Sequence, residues 1–438
     1  MCGRPNDQLE SLLQPGSPEL QFIFYTEGSV ITIRSNRVCG HRVRAVVAGF
    51  ALLARAATPV AAQEKQPFKS VNFGVPIVTT ARTAAAEPVA AAQTPASGGT
   101  TFFQNTELGG LADAYYDWYS TKPSGNAPLR NFDTKHNQFS FTMVELWVAK
   151  TPTADSRTGF NLKLNFGPAT SEFIHSTDPG GVGILQNVQQ AYVSYLAPAG
   201  KGLQFDVGEF VTHNGSEVIE AKDNWNYSRS LLFAWAIPYY HAGLRITYPA
   251  SDKATLAGGV VNGWNNLAEN NTGKTVWGQI ILKPSSAFTF IQNYTGGPEQ
   301  AGDNSDWRHL SDTQAMWTAS PMVSFMGNYD YGRDKVAGAD VHWQGVAGYV
   351  KFQPTKVIAF IPRAEYYDDA DGFTTGVAQK AKEFTLTLEL KPTDTLMWRI
   401  EYRSDFSDVA FFKNDVGAFK KNQHSIGFGL LYNFSTKQ

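Results

Sequence analysis

Along residues 382–403 apolar and polar positions alternate strictly on both sides of a turn. Phe384, Leu386, Leu388 and Leu390 share one face, and Glu383, Thr385, Thr387 and Glu389 the other. After Pro392, Thr393 and Asp394, Leu396, Trp398, Ile400 and Tyr402 oppose Arg399, Glu401 and Arg403. A period of two is the mark of a β-strand with unlike faces. The same pattern recurs through most of the chain. In 160–166, Phe160, Leu162, Leu164 and Phe166 oppose Asn161, Lys163 and Asn165. In 239–248, Tyr240, Ala242, Leu244, Ile246 and Tyr248 oppose His241, Arg245 and Thr247. In 113–118, Ala114, Tyr116 and Trp118 oppose Asp113 and Asp117, and near the end Ile358, Phe360 and Tyr366 oppose Arg363 and Glu365. In 203–212, Glu209 falls on the otherwise apolar face, which places it near an interface.

The connections come in two kinds that alternate. Short turns rich in Pro, Ser, Thr and Asp fall at 151–157, 197–201, 249–253, 283–287, 319–321, 353–356 and 391–394. Longer Gly-, Asn- and Asp-rich loops fall at 120–136, 167–186, 213–238, 263–274, 296–311, 333–340, 369–380 and 408–422. These are turn chemistries, and they divide the chain into about 16 strands. An even number of strands, with short turns on one rim and long loops on the other, predicts an all-β fold, a transmembrane antiparallel β-barrel. Unpaired backbone groups cost several kcal/mol each in hydrocarbon, so strands cross a bilayer only as a closed barrel. The last strand, 425–434, would close against the first. Trp147, Tyr195, Tyr248, Trp398 and Tyr432 suit interfacial girdles of aromatic residues.

Composition agrees with this. Only 17% of the 438 residues are charged and 13% are aromatic, unlike most soluble proteins. The net charge of −2 argues against nucleic acid as a partner. No apolar run is long enough for a transmembrane helix. Arg37, His41, Arg42 and Arg44 followed by the apolar stretch 45–54 and Val60-Ala61-Ala62 read as a signal peptide over 37–62, cleaved near Ala62. No Met lies between Met1 and Met143, so 1–36 reads as a mis-called upstream extension with translation starting near Val38. Residues 63–107 form a flexible Ala/Pro/Thr-rich periplasmic leader, 108–434 the barrel and 435–438 a tail. Cys2 and Cys39 both precede the cleavage, so the mature chain has neither disulfides nor thiolate metal sites.

A barrel of this size encloses an aqueous lumen. The polar faces nominate Asp113, Asp117, Glu145, Lys163, Arg245, Arg363, Glu365, Glu389, Arg399, Glu401 and Arg403 as pore-lining; the bland alternative makes them ion-paired struts in the wall. Mixed signs predict weak ion selectivity. Loop 213–238 carries Glu217, Glu220, Lys222, Asp223 and Arg229 beside the apolar run 231–237. Such a run is badly placed in water, so the loop is expected to fold inward and constrict the pore; otherwise it stands outward or continues a strand.

Enzyme readings lack parts. Gly273-Lys274-Thr275 ends like a phosphate loop, but Ala268 stands where the first Gly is needed. His175, His213, His241, His309, His342 and His424 show no metal-ligand spacing, so no catalytic, cofactor or metal residue is nominated. A hydrolase at the barrel mouth would assemble in space rather than in sequence.

The segments 112–119 (ADAYYDWY), 137–151, 159–167, 189–198, 206–220, 224–245 and 258–266 make the chain resemble the OmpL-like β-barrel porin family of Gram-negative outer membranes. The likeness covers roughly 108–434. It implies an outer-membrane channel for passive diffusion of small hydrophilic solutes and ions. The aromatic-ended last strand, with Phe428, Leu430, Tyr432 and Phe434, looks like the signal read by the barrel-assembly machinery, although four residues follow Phe434. Outer-membrane lipid is the implied surroundings, and porins of this size are often homotrimers. The competing reading is a plugged barrel acting as an adhesion, receptor or envelope-structural protein.

Overall fold

The computed structural model describes residues 21–26, 29–34, 105–176, 178 and 183–437. The chain divides into two units, and the signal peptide and leader expected over 37–107 lie almost wholly outside the described residues. In the first unit Gln21–Thr26 and Ser29–Arg34 pair as an antiparallel hairpin.

The second unit is a closed barrel of 16 strands, each paired antiparallel with its neighbours in the chain. In order they are β1 (Thr106–Tyr119), β2 (Gln138–Lys150), β3 (Thr158–Phe166) and β4 (Val188–Ala197). Then follow β5 (Leu203–Val211), β6 (Tyr240–Ser251), β7 (Ala254–Val261) and β8 (Thr275–Ser285). The second half comprises β9 (Phe288–Pro298), β10 (Trp307–Ser320), β11 (Val323–Val336) and β12 (Ala339–Phe352). It ends with β13 (Ile358–Asp369), β14 (Gln379–Leu390), β15 (Leu396–Ser407) and β16 (Asn422–Ser435). Closure is made by β16 on β1, from Ser425 opposite Tyr119 to Ser435 opposite Gly109. Within the barrel none of the 16 described strands has an unpaired edge, which is the condition for sitting in hydrocarbon.

The alternation read along 382–403 is the wall seen from both sides. Thr387 pairs with Glu401 and Leu388 with Ile400 across β14 and β15. Phe384, Leu386, Ile400 and Tyr402 are exposed on the outside, whereas Glu383, Thr385, Thr387, Arg399, Glu401 and Arg403 are buried inside. Around the barrel Leu162, Phe166, Val193, Leu256, Ile280, Val346 and Phe360 continue the apolar outer surface. Burying that surface in lipid is what drives the strands to their register, since a slip of one residue would turn every charge outward.

Two expectations need correction. Residues 333–340 are not a long loop: β11 runs to Val336 and β12 restarts at Ala339. Only Ala337 and Gly338 turn, both with positive φ (49° and 79°), as a two-residue hairpin turn requires. Trp147 is not an outer girdle residue. It shares the inner face of β2 with Glu145, as the period of two demands, and the Lys163 ammonium lies 5.4 Å from its ring centroid. Glu209, two residues from the end of β5, is buried, with Oε1 3.6 Å from His175 Nε2 of the β3–β4 loop.

Candidate functional site

The lumen is organised by the β5–β6 connection, 212–239, which runs inside the barrel rather than above it. Its backbone polar groups have left the sheet ladder and need partners, and the inner charges supply them. Ser216 N–H donates to Asn328 (3.0 Å), Tyr227 N–H to Glu401 (2.8 Å) and Leu231 N–H to Glu365 (2.8 Å). In the opposite sense Arg399 donates to the carbonyls of Ala221, Asn224 and Asn226 (2.9 Å for Asn226). Arg363 donates to Ser228 O (2.7 Å), and Arg403 to Arg229 O and Ser228 Oγ. The planar five-donor guanidinium is the side chain suited to gather several carbonyls at once.

The apolar run 231–237 packs against the wall. Leu231–Trp235 forms a short helix, α1, whose N-terminus is capped by Ser230 Oγ accepting from Phe233 N–H (3.0 Å). Trp343 donates to Ala236 O (2.9 Å) and Tyr367 to Trp235 O (3.0 Å). On the β15–β2 side, Leu111, Met397 and Leu431 point inward and are buried in one apolar cluster with Ile219, Ala221 and Tyr227. Tyr227 is hydrogen-bonded to Asp113 (2.7 Å) and Thr142 (3.0 Å).

The wall residues nominated from sequence therefore divide into two groups. Asp113, Arg363, Glu365, Arg399, Glu401 and Arg403 are buried against the inward loop and do not face open water. Their surroundings are loop backbone, ion pairs such as Arg403–Asp405 (2.8 Å), and each other. Glu389 pairs with Arg399 (2.6 Å) and Lys351 (3.3 Å). Asp117 is buried near the loop 120–137, accepting from Tyr119 (3.2 Å). Glu145 is fully buried behind Lys163, 3.7 Å away. Only Lys163 and Arg245 border open space.

That space is a cavity of about 480 Å³ on the β3–β8 side, between the barrel wall and the loop residues Val218, Ile219, Glu220 and Asp223. Lys163 forms a hydrogen-bonded ion pair with Glu220. Arg245 Nε lies 2.8 Å from Asp206 Oδ2, and its guanidinium sits 5.1 Å from the Tyr192 ring centroid and 4.8 Å from that of Phe210. Lys222 pairs with Asp223 at 2.6 Å. Asn161, Gln190, Gln204, Thr247, Trp277 and Gln279 complete the lining. His213 stacks on Trp277 at 3.9 Å between centroids. Burial, with His241 and Arg245 nearby, pushes the His213 imidazole well below its ordinary pKa, so it stays neutral. Burial alone would raise the Glu220 carboxyl, but the Lys163 ammonium and its hydrogen bond, with Lys222, prevail and hold it at about 2.

Of the loop residues nominated, Glu217 and Arg229 are buried anchors. Glu217 accepts from Arg363 (2.8 Å), Tyr349 (3.1 Å) and Ser230 N–H (2.7 Å), and Arg229 donates to the carbonyls of Val218, Ile219 and Tyr227. Glu220 and Asp223 border the cavity, and Lys222 is tied to it through its ion pair with Asp223. The phosphate-loop-like Lys274 lies in the β7–β8 loop and pairs with Glu269. Sequence reasoning missed Asp206, Tyr192, Trp277 and the carboxamides. Asp206 was within reach, since it alternates with Phe205 and Val207 in the strand that contains Arg245's neighbour.

A closed 16-stranded barrel with an apolar exterior and an inward loop dividing a polar lumen defines an outer-membrane porin. The chain belongs to the family described as Putative beta-barrel porin-2, OmpL-like, whose model matches residues 105–434. A search of curated proteins found no match. Among solved structures, the anion-selective porin from Comamonas acidovorans is similar with a TM-score of 0.52 and 11% identity, over 75% of this chain and 99% of that one. The trimer form of OmpT, an outer membrane protein of Vibrio cholerae, is similar with a TM-score of 0.50 and 10% identity, over 75% and 99%. A loop L8 deletion mutant of the Vibrio cholerae protein gives 0.50 and 9% over the same shares. At these identities the likeness concerns the fold.

Proposed function

We propose that the chain is a passive channel for small hydrophilic solutes, that solutes travel only through the β3–β8 side of the lumen, and that loop 212–239 is its constriction. The observation carrying this reading is the anchoring of that loop. Three arginines and two wall carboxylates, Glu365 and Glu401, hold its backbone on the β10–β16 side, whereas the opposite side keeps a polar cavity bounded by Lys163, Arg245, Asp206 and Glu220. A buried ion pair with its hydrogen bonds satisfied is costly to break, so the loop acts as a fixed wall and the channel needs no opening step. The protein works by passage, not by chemistry.

The export reading belongs with it: a signal peptide removed near Ala62, delivery of the last strand through Phe428, Leu430, Tyr432 and Phe434 to the assembly machinery, and insertion in lipid. Assembly as a homotrimer is supported by analogy with the trimeric form of the Vibrio protein. Liposome swelling with solutes of graded size tests the channel: entry of glycerol and a pentose is expected. The second reading, a plugged barrel with an adhesion, receptor or structural role, is favoured by how much of the lumen the loop fills. Failure of even glycerol to enter would select it.

A further inference from the structure

The passage wall carries its charges as closed pairs. Arg245 is bound to Asp206 (2.8 Å), and Asp206 also accepts from Ser194 (2.6 Å) and Gln204 (2.9 Å). Lys163 is bound to Glu220, and Lys222 to Asp223. The remaining carboxylate of the group, Glu145, is wholly buried behind Lys163. An ion entering a narrow, partly desolvated passage needs fixed countercharge to replace the water it loses. Here each fixed charge is already satisfied, so a solute ion must either remain uncompensated or split a pair.

A neutral polar solute meets different terms. Asn161, Gln190, Gln204 and Gln279 line the same space; each spends one end of its carboxamide on Tyr192, Val211 N–H, Asp206 or His213 O, and the other end is the group that can exchange hydrogen bonds with a neutral solute. Tyr192 and Trp277 add aromatic surface against which C–H faces can rest. The volume of about 480 Å³ lies within the range of roughly 300–1,000 Å³ that holds small ligands.

Resting on the channel reading above, we propose that this passage prefers uncharged polyhydroxylated solutes of monosaccharide size over anions and cations of the same size, with the Arg245–Asp206 and Lys163–Glu220 pairs setting the preference. Neutral hydroxyls exchange hydrogen bonds along the carboxamides while the paired charges give an ion no foothold.

The test is entry of D-glucose, gluconate and glucosamine into liposomes bearing the full chain. Glucose should enter severalfold faster than both charged analogues. If either charged analogue matches or exceeds glucose, the preference is overturned while the channel stands. If glycerol is also excluded, the channel itself fails, and the preference with it. Asp206→Asn leaves Arg245 unpaired and should raise gluconate entry severalfold without raising glucosamine entry; Arg245→Gln should do the reverse. Glu220→Gln and Lys163→Gln provide the same crossed comparison should either variant fail to show the heat-modifiable migration of a folded barrel. An equal rise for all three solutes in both members of a pair would mean simple widening and would overturn the assignment.

Discussion

Arg363 Nη1 lies 2.8 Å from Glu217 Oε1, joining β13 to a loop residue 146 positions earlier in the chain. Both side chains are buried, and Arg363 also faces Glu383 (3.1 Å) and Glu365 (3.2 Å). One guanidinium thus balances wall carboxylates and fixes the inward loop in the same contact. Removing one partner leaves charge without countercharge in a buried site, which costs roughly 3–5 kcal/mol. Arg363→Ala is therefore expected to lower the denaturant midpoint of the folded barrel and to produce noisy, larger single-channel currents. Glu217→Gln should do less, because the one amide oxygen can still accept from Arg363 and Tyr349, and only Ser230 N–H loses its acceptor. Equal, quiet currents in both variants would mean that this pair does not hold the loop.

Tyr227 stands on Gly429 of β16. A Cβ at 429 would fall within contact distance of the Tyr227 ring, which is wedged between wall and loop. Gly429→Val should therefore expel Tyr227, break its hydrogen bonds to Asp113 and Thr142, and raise conductance. Tyr227→Ala in the same background should relieve the clash and recover stability, as coupled neighbours do. Unchanged conductance in Gly429→Val would show that the loop yields locally without opening the passage.

The wall was legible in the sequence because its cause is local. Lipid outside and polar groups inside force a period of two, so Phe384 through Tyr402 could be assigned to faces residue by residue. The inward course of 212–239 was also foreshadowed, by the apolar run around Phe233 and Trp235. What Arg363, Arg399 and Arg403 do was not legible. Alternation says that they point inward, but their partners are main-chain carbonyls of a segment more than a hundred residues away, and carbonyls leave no trace in sequence. The same holds for the passage. Lys163 and Arg245 looked no different from the other inner charges until the loop covered one side and left theirs open. The tight turn at Ala337-Gly338 was missed because Gly and Asp near a rim read as loop even where the strands continue past the membrane.

Trp343 ties the end of α1 to the wall through Ala236 O (2.9 Å), and Gly332 opposite it leaves room for the indole. Trp343→Phe keeps the ring but abandons that carbonyl, which costs about 1–3 kcal/mol for an unsatisfied buried acceptor. Gly332→Leu would instead press on the indole itself. Both should lower thermal stability, measured as loss of the folded band on heating, with Gly332→Leu the more severe. The reverse order would argue that the hydrogen bond outweighs the packing.

Glu220 is expected to set the acid limit of the proposed passage. Its carboxyl is held at about 2 against an ordinary 4.5, by the Lys163 ammonium and its hydrogen bond and by Lys222, against the cost of burial. A carboxyl with depressed pKa contributes stability that is present above its unfolded value and is lost as pH falls through the folded one. In the folded chain the Lys163–Glu220 pair should therefore stay closed until pH nears about 2, while its contribution to stability declines between about 4.5 and 2. Conductance, a property of the folded channel, is expected to stay flat below pH 4.5 as well and to drift only as pH nears about 2. In Glu220→Gln the low-pH drift should disappear, while the current at neutral pH already differs from that of the unaltered chain because Lys163 has lost its charged partner. A drift of the same size in Glu220→Gln would assign the acid response to another carboxylate, with Asp206 beside Arg245 the next to replace.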